Sequence, residues 1–348
     1  MTTALMEKPM PDTATDRPHR STADRADAAD RDGDAPLVSV VLPTYDRPSY
    51  LRKAVESVLA QTYEPIELVV VDDHSERPAA ETLSGMDLGD LAAVRCRRHE
   101  ENRGVNAARN TGIEAASGEY VAFLDDDDRW VPEKTERQVA AFETAGDDVG
   151  VVYTGKRTVE PEGTGERIPP AVEGDMTKAL LCRNVVGTMS VVMVRADLAR
   201  AVPLDESFPA WADLAWYVSL SRRAGFKRLP EPLAVYEFTS HGRLSDDLEK
   251  KRRGYERFLE RFGPLAAEYG RRFHRKMRGW AAYRVGRTAL VTGDYAEARR
   301  FLAAAVAAYP VEPKFGLYLL AAAGGRPTHG LARRARELGR VFAGVTSR

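Results

Sequence analysis

Residues 38–75 read VSVVLPTYDRPSYLRKAVESVLAQTYEPIELVVVDDHS, and this stretch decides the fold of the chain. The β-branched run that opens it predicts a buried strand between Val38 and Leu42. Apolar residues then recur every three or four positions from Leu51 to Leu59, which predicts a helix. A second apolar run predicts another strand, which ends in two carboxylates. Strand, helix and strand in this order predict a parallel βαβ unit.

The same alternation continues along the chain. The next predicted segments are a strand at 91–96, a helix at 104–116, a strand at 119–124 and a helix at 132–145. Beyond them the pattern is less regular, with strands predicted at 149–154, 190–194 and 233–238 and a helix at 213–225. The predicted fold class is therefore α/β with a Rossmann-like open sheet. In such sheets ligands bind beyond the carboxyl ends of the strands.

The two ends of the chain differ from this central part. Residues 1–36 contain almost no large apolar side chains, so we expect a disordered tail. Residues 246–348 are predicted to be helical, which leaves 37–245 as the α/β domain. Within the helical region, residues 280–310 resemble a single tetratricopeptide unit. Because about three such units are needed for a solenoid, we expect a packed helical hairpin.

The composition excludes several classes of protein. Apolar residues make up 43% of the 348 residues, which is ordinary for a globular protein. Cys96 and Cys182 are the only cysteines, so no disulfide framework is readable and a reducing, cytoplasmic compartment fits best. No apolar run approaches the roughly 18 to 20 residues that span a bilayer, and the start lacks a signal-peptide core. We therefore expect a cytoplasmic protein that does not cross a membrane.

Charge is distributed unevenly. Residues 241–348 carry 23 Lys or Arg against 10 Asp or Glu, whereas residues 1–240 carry 28 against 42. The excess of cations indicates an anionic surface partner for the C-terminal part, and we expect no nucleic-acid partner. One interpretation is peripheral contact with the inner face of the cell membrane, aided by the amphipathic segment at 331–342. The alternative is a set of solvated helix faces and an ordinary docked helix.

Polar clusters follow three of the predicted strands. They are Thr44–Asp46, Asp72–Asp73 and Asp125–Asp128. Their position at strand ends points to a ligand site at that edge of the sheet. Other kinds of site lack support, because the chain has no Gly-x-Gly-x-x-Gly after the first strand and no Gly-Lys-Ser/Thr loop. It also lacks Cys and His pairs at zinc spacing and a Gly-x-Ser-x-Gly elbow.

The run FLDDDDRW, residues 123–130, places four carboxylates side by side. Adjacent aspartates raise one another's pKa unless a cation offsets their repulsion, and Mg²⁺ and Mn²⁺ prefer oxygen ligands. In an extended segment Asp125 and Asp127 point to one face and Asp126 to the other, so one metal held by an Asp-x-Asp pair is the simplest arrangement. The alternative is that Asp127 or Asp128 caps the helix that follows.

At this point the sequence resembles the family 2 glycosyltransferases, which have the GT-A fold. The resemblance rests on residues 38–75 and on ENRGVNAARNTGIEAASGEYVAFLDDDDRW at 101–130. Two further segments match less closely, FPAWADLAWYVSLSRRAG at 208–225 and HGRLS at 241–245. Together the matches cover roughly residues 37–245, in the family's order, and are specific in combination.

The resemblance implies a nucleotide-sugar site. Its implied binding residues are Pro43, Thr44, Tyr45, Asp73, Asn102, Gly104, Arg109, Asp125, Asp126, His241 and Arg243. Asp125 and Asp127 fall on the family's Asp-x-Asp motif, which implies a Mn²⁺ or Mg²⁺ ion that bridges the diphosphate, with Asp128 in support. Asp213 matches the general base, although this chain has Ala212 where family members commonly have Glu.

The implied function is that of an inverting, metal-dependent glycosyltransferase. It would move a sugar from a nucleotide-diphospho-sugar, expected to be UDP-linked, to a hydroxyl of a glycan or lipid-linked acceptor. Two alternatives stay open. A sugar-1-phosphate nucleotidyltransferase also uses a carboxylate-bound metal, but would be expected to carry a Gly-rich, basic loop near the first strand. A non-catalytic sugar-nucleotide-binding or scaffold protein would keep the fold, and Ala212 is the feature that favours it.

Overall fold

The computed structural model describes residues 35–160, 163–237 and 247–325. The predicted tail up to residue 34, the predicted binding residues His241 and Arg243, and the amphipathic segment at 331–342 lie outside these ranges.

The described residues form one nine-stranded mixed sheet. The strands are β1 Val38–Thr44, β2 Ile66–Asp72, β3 Ala93–Arg98, β4 Tyr120–Phe123, β5 Asp128–Trp130, β6 Val149–Glu160, β7 Gly163–Arg167, β8 Val192–Arg195 and β9 Gly225–Glu237. Their order is β3-β2-β1-β4-β8-β6-β9-β5, and β7 pairs with β6 outside this path. Strands β1 to β4 pair in parallel, whereas β8 is antiparallel to both β4 and β6. The predicted open α/β sheet is confirmed.

Helices cover the sheet and continue beyond it. Those between strands are α1 Pro48–Leu59, α2 Ala79–Leu83, α3 Val105–Ala115, α4 Lys134–Glu143, α5 Thr177–Cys182, α6 Ala196–Ala201 and α7 Ala212–Ser221. The C-terminal helices are α8 Leu248–Glu268, α9 Arg271–Thr292, α10 Tyr295–Ala308 and α11 Pro313–Ala323. Among the described helices, none combines the length and the apolar content that a bilayer span requires.

The parallel half of the sheet has a topological switch point at β1. β2 pairs with β1 on one side, and β4 pairs with it on the other. Connections that leave neighbouring strands in opposite directions open a crevice at the carboxyl ends of those strands. The crevice therefore lies where the chain leaves β1 at Thr44 and β4 at Phe123.

The core explains why this half of the sheet is rigid. Every residue of β1 and β2 is buried, as expected of parallel strands with both faces covered. Helix α3 packs on β1 and β2 at very short range. A Cβ added at Gly112 would lie 2.3 Å from Cγ1 of Val41, so this approach requires glycine. The contact fixes α3, and with it the loop that precedes α3, over the strand ends.

Helices α9 and α10 form an antiparallel hairpin. The guanidinium of Arg275, near the start of α9, donates hydrogen bonds to the carbonyl oxygens of Ala307 and Ala308 at the end of α10, both at 3.0 Å. Helix α11 then packs on α9 through Phe315, whose ring centroid lies 5.1 Å from that of Trp280. The helices thus bury a second aromatic cluster.

Several predicted boundaries are wrong. The strand predicted at 233–238 is only the end of the longer β9, which starts at Gly225. The first two residues of the strand predicted at 190–194 belong to a 3-10 turn, Met189–Val191, and β8 begins only at Val192. The helix predicted at 213–225 ends at Ser221, because the backbone N of Gly225 donates to the carbonyl of Asp148 and starts β9 beside β6. Strand pairing has overridden the helical pattern there.

A buried carboxylate holds the other end of the sheet together. Glu67 in β2 is fully buried and accepts hydrogen bonds from Ser39 Oγ at 2.5 Å, from the backbone N of Ser117 at 2.8 Å and from Arg95 Nε at 2.5 Å. Burial pushes the pKa of Glu67 up, but these hydrogen bonds outweigh it and hold the pKa below the usual 4.5. The network therefore stabilises the ionised form.

We expect Glu67→Gln to lower the free energy of unfolding at pH 7 by about 2 to 4 kcal/mol, because buried donors lose a charged acceptor. The folded pKa is depressed, so the stabilisation is present above the ordinary Glu pKa and is lost as pH falls through the folded value. Urea unfolding at neutral and acidic pH should show the difference from the parent shrinking in acid. Glu114→Gln, at an exposed position of α3, is the control. A difference that does not depend on pH would contradict this account.

Candidate functional site

A cavity of about 530 Å³ lies at the carboxyl ends of β1 and β2. Seven of the predicted binding residues line it, namely Pro43, Thr44, Tyr45, Asp73, Asn102, Gly104 and Asp126. Sequence reasoning missed four other lining residues, which are Arg47, Val105, Ala108 and Lys250. Arg47 could have been found from its place in the loop after the first strand. Lys250 carries no such signal, because it comes from α8, far along the chain.

Asp73 holds the loop that leads into α3. Its two carboxylate oxygens accept from the backbone N of Arg103 at 2.9 Å and of Gly104 at 2.8 Å. His99 Nδ1 lies 2.7 Å from the same carboxylate. Gly104 has a φ of 89°, which a side chain would strain, and it is the N-cap residue of α3. Asp73 therefore shapes one wall of the cavity.

Asp72 braces a different loop, the one that joins β2 to α2. Its carboxylate accepts from the backbone N of Ser75 at 2.7 Å, from that of Ala79 at 2.9 Å and from Arg98 Nη1 at 2.7 Å. Burial raises the pKa of Asp72, but the hydrogen bonds and the charge of Arg98 prevail, and the pKa lies below its usual range. Arg98 and His99 were not predicted, because only the pairing of β3 with β2 brings them here.

The Asp125–Asp128 run is a turn. Strand β4 ends at Phe123, and the backbone N of Asp128 donates to the carbonyl of Asp125 at 3.0 Å. The predicted extended geometry, with Asp126 pointing away from its neighbours, is therefore wrong. Instead Arg47 Nη1 contacts both Asp126 Oδ1 and Asp127 Oδ2, each at 3.2 Å. The alternative role as a helix cap is also wrong, because α4 begins only at Lys134.

The four carboxylates of this turn differ in their exposure to solvent. The side chains of Asp125 and Asp127 are 27% and 37% exposed, and Arg109 Nη2 lies 2.5 Å from Asp125 Oδ1. Asp126 and Asp128 are buried. Burial raises the pKa of Asp126 to about 6, although Thr44 Oγ1, which donates to Asp126 at 2.8 Å, acts against this rise.

Ser190 forms hydrogen bonds with both ends of the Asp125–Asp128 turn. Its hydroxyl donates to Asp128 Oδ2 at 2.6 Å and accepts from the backbone N of Asp125 at 3.1 Å. Burial, together with the charge of Asp125, raises the pKa of Asp128 well above its usual range. Asp128 is therefore a buried part of the turn, and no local sequence pattern indicates that Ser190 contacts it.

The donor set can be compared with what a metal ion needs. No group of three or more metal-ligating side chains occurs within the described part of the chain. Asp125 and Asp127 nevertheless offer partly exposed carboxylate oxygens, the ligand type that Mg²⁺ and Mn²⁺ prefer. Mg²⁺ is usually held by one or two carboxylates together with substrate phosphates and water. These residues fit a metal that is completed by a phosphate ligand.

Asp213 lies in the first turn of α7, so it does not cap this helix. It follows Trp211, whose φ of 65° is unusual for a bulky residue. Asn184 Nδ2 donates to Asp213 Oδ2 at 2.8 Å. Burial raises the pKa of Asp213, and the charges of Arg109 and Arg284 are among the influences that oppose this rise. Arg109 thus contacts Asp125 and, by its charge, lowers the pKa of Asp213, so one cation acts on both predicted functional carboxylates.

The C-terminal helices contribute Arg284 to this region. Its guanidinium lies over Trp211, 5.2 Å from the ring centroid, and Nη2 donates to the carbonyl of Cys182 at 2.9 Å. Nη1 is buried without a hydrogen-bond partner among the residues that the structure describes. Burial lowers the pKa of Arg284 to about 10. Nothing in the local sequence pattern of α9 indicates this role.

Comparisons with known sequences find similar glycosyltransferases. The model of the family "Glycosyl transferase family 2" matches residues 39–198. TuaG of Bacillus subtilis, whose name assigns it to teichuronic acid biosynthesis, is 30% identical over 210 residues, which are 59% of this chain and 81% of TuaG. A glycosyltransferase of Nostoc sp. is 32% identical over 217 residues, 59% of this chain and 65% of that protein.

Some relatives are much longer than the matched segment. A glycosyltransferase of Rickettsia felis is 36% identical over 132 residues, which are 38% of this chain and only 21% of that protein. The chain therefore spans less than two thirds of the length of the Nostoc and Rickettsia felis relatives.

Solved structures share the fold. TarS of S. aureus, in complex with UDP-GlcNAc, has a TM-score of 0.53 at 17% identity, over 78% of this chain and 89% of the TarS chain. The mannosyltransferase PcManGT from Pyrobaculum calidifontis, in complex with GDP-Man and Mn²⁺, has a TM-score of 0.53 at 20% identity, over 84% of this chain and 87% of its own. At these identities the likeness shows the GT-A fold alone. The family match and the 30% identity to TuaG, of which this chain covers 81%, show that the chain belongs to glycosyl transferase family 2.

Proposed function

We propose that the protein is an inverting, metal-dependent transferase that moves a sugar from a nucleotide-diphospho-sugar to a hydroxyl acceptor. One observation carries the proposal. The cavity at the switch point lies beside a turn with two partly exposed carboxylates, and Arg109, which contacts Asp125 in that turn, also opposes by its charge the rise in the pKa of the half-buried Asp213. This arrangement supports a donor pocket, a metal site and a general base that lie close together.

The cavity would hold the nucleotide. Tyr45, which is 47% exposed, and Asn102 offer a flat ring and an amide at its rim. Arg47 and Lys250 supply the positive charge that a diphosphate requires. We propose a UDP-linked donor, which is supported by the fold shared with TarS, a protein solved with UDP-GlcNAc. The complex of PcManGT with GDP-Man makes a GDP-linked donor the first competitor.

Asp125 and Asp127 would hold the Mn²⁺ or Mg²⁺ ion together with the diphosphate. When bound, such an ion stabilises negative charge on the departing nucleoside diphosphate. The guanidinium of Arg109 positions Asp125 for this task, and Arg47 positions Asp127. Asp126 and Asp128, which are buried, keep the turn in place.

Asp213 would take the proton from the acceptor hydroxyl. Partial burial raises its pKa, which makes the carboxylate a better base than a fully exposed aspartate. Attack of the hydroxyl opposite the leaving group, in a single displacement, inverts the anomeric configuration. We propose a hydroxyl of a glycan or a lipid-linked glycan as the acceptor. The name of TuaG, which assigns it to teichuronic acid biosynthesis, supports a glycan acceptor.

Release of nucleoside diphosphate from a panel of UDP- and GDP-sugars, with and without Mn²⁺, tests the donor and the metal together. We expect Asp127→Asn to lower metal-dependent release about a hundredfold or more, because one of the metal's two carboxylates is lost. Asp87→Asn, an exposed change far from the turn, is the control. Turnover by Asp127→Asn at the parent's rate would remove the metal assignment.

Asp213→Asn should lower the rate of transfer by about 10² to 10⁴-fold, the range typical of a lost general base. Donor binding should persist, because Asp213 is not among the residues that line the nucleotide cavity. Thermal shift with donor and Mn²⁺ measures binding, and acceptor-dependent diphosphate release measures transfer. Loss of donor binding with an unchanged rate constant would assign Asp213 to the pocket instead.

Arg284→Gln should move the acidic limb of the pH profile of kcat/KM to higher pH. Arg284 opposes the rise in the pKa of Asp213, so removing its charge lets that pKa rise further, and the base becomes ionised only at higher pH. Arg284→Lys keeps the charge and should leave the limb nearer its original place. Arg287→Gln, an exposed position on the same helix, is the matched control. A limb that stays fixed in all three variants would show that Arg284 only packs.

A further inference from the structure

Helix α11 exposes an apolar face. Leu317 and Leu320 are 65% and 70% exposed, and Val311, just before the helix, is 63% exposed. Within α11, Pro313, Leu317 and Leu320 are four and three residues apart, so they lie on one face of the helix. Phe315 and Ala322 on the inner face are buried against α9 and α10. The apolar outer face has no covering element among the described residues.

A basic cavity of about 740 Å³ adjoins this face. One wall consists of Arg271, Arg272, His274 and Arg275 from the start of α9, and the other of residues 308–311. Val311 belongs to this second wall and is also one of the exposed apolar residues. The cations and the apolar face therefore form one continuous surface, which we call the α9–α11 surface.

The start of α9 is unfavourable for an isolated helix. Residues 271–278 read RRFHRKMR, with five Lys or Arg and no acidic residue in the first turn. The N-terminus of a helix carries partial positive charge, so cations there are destabilising. Within the described ranges neither Arg271 nor Arg272 forms an ion pair. Arg275 donates hydrogen bonds to carbonyl oxygens at the end of α10. An anionic partner would offset the repulsion between these cations and the positive end of the helix dipole.

The net positive charge of the C-terminal helices favours some kinds of partner for this surface over others. Residues 271–325 contain 10 Lys or Arg and 3 Asp or Glu, and residues 326–348 contain 6 and 1. Coverage by the chain's own C-terminal segment, or by the same surface of a second copy, would place like charges together. Nucleic acid would satisfy the cations but leave the exposed leucines in water. A lipid surface with anionic headgroups satisfies both features.

We propose that the α9–α11 surface docks on an anionic lipid bilayer, with Val311, Leu317 and Leu320 in the interface and Arg271 and Arg272 on the headgroups. The inference goes beyond donor and acceptor chemistry and depends on neither. Taken with the proposed function, it would hold the transferase where lipid-linked acceptors lie.

Flotation of the full chain with vesicles tests this proposal. Vesicles of phosphatidylcholine with about one third phosphatidylglycerol are compared with pure phosphatidylcholine. We expect binding to the anionic vesicles that weakens as salt is raised, because headgroup attraction is screened. Arg271→Gln/Arg272→Gln and, separately, Leu317→Gln/Leu320→Gln should each lower the partition coefficient roughly tenfold. All four side chains are exposed, so folding should be retained.

Two matched controls separate this surface from general charge and hydrophobicity. Val291→Gln removes an equally exposed apolar residue, 68% exposed, at the far end of α9. Arg222→Gln removes an exposed cation after α7. Both should bind like the parent. Equal binding of the parent and both double variants, or no binding by the parent, would overturn the proposal. A dimer that dissociates in Leu317→Gln/Leu320→Gln would assign the face to a second copy.

Asp127→Asn keeps this experiment independent of the proposed function. It should bind vesicles like the parent while its donor turnover falls. Vesicle binding without turnover of any donor would defeat the proposed function alone, and turnover without vesicle binding would defeat the docking proposal alone.

Discussion

Six aspartates meet at one edge of the sheet, and the site depends on how their mutual repulsion is offset. Asp72 and Asp73 are saturated by backbone donors, Arg98 and His99, which ties the loop after β2 to the start of α3. Asp126 and Asp127 share Arg47, and Asp125 is held by Arg109. Each carboxylate has a distinct set of donors, and adjacent aspartates of one short run have different exposures.

The switch point of the sheet gives these pairings their place. Because β2 and β4 flank β1 on opposite sides, the loops that leave the three strands converge on one crevice. The close approach of α3 to β1 at Gly112 then brings Gly104 to the cavity wall, and it sets Arg109, on the same helix, against Asp125. The C-terminal helices complete the site, since Lys250 reaches the cavity from α8 and Arg284 packs over Trp211 from α9. The C-terminal helices therefore contribute side chains to the candidate site.

The first two strands, the helix between them and the position of the crevice could be predicted from the sequence, because each is indicated by neighbouring residues. The strand, helix and strand of residues 38–75 were correct, since each apolar run has the period of its own element and needs no distant partner to be recognised. Polar residues at strand ends indicated the crevice for the same reason, and most of the predicted binding residues line one cavity. The extended geometry of the aspartate run was wrong, because the end of β4 depends on pairing with β1 and β8 and not on the run itself.

The sequence by itself determined which elements form in the parallel half of the sheet and which end of them carries the carboxylates. Periodicity and strand ends are properties of neighbouring residues. Only the tertiary structure decided which cation meets which carboxylate, that Ser190 supports the aspartate turn, and that α8 and α9 supply Lys250 and Arg284. Those contacts join residues far apart in the chain, and their distances follow from strand order and helix packing, which no local pattern encodes.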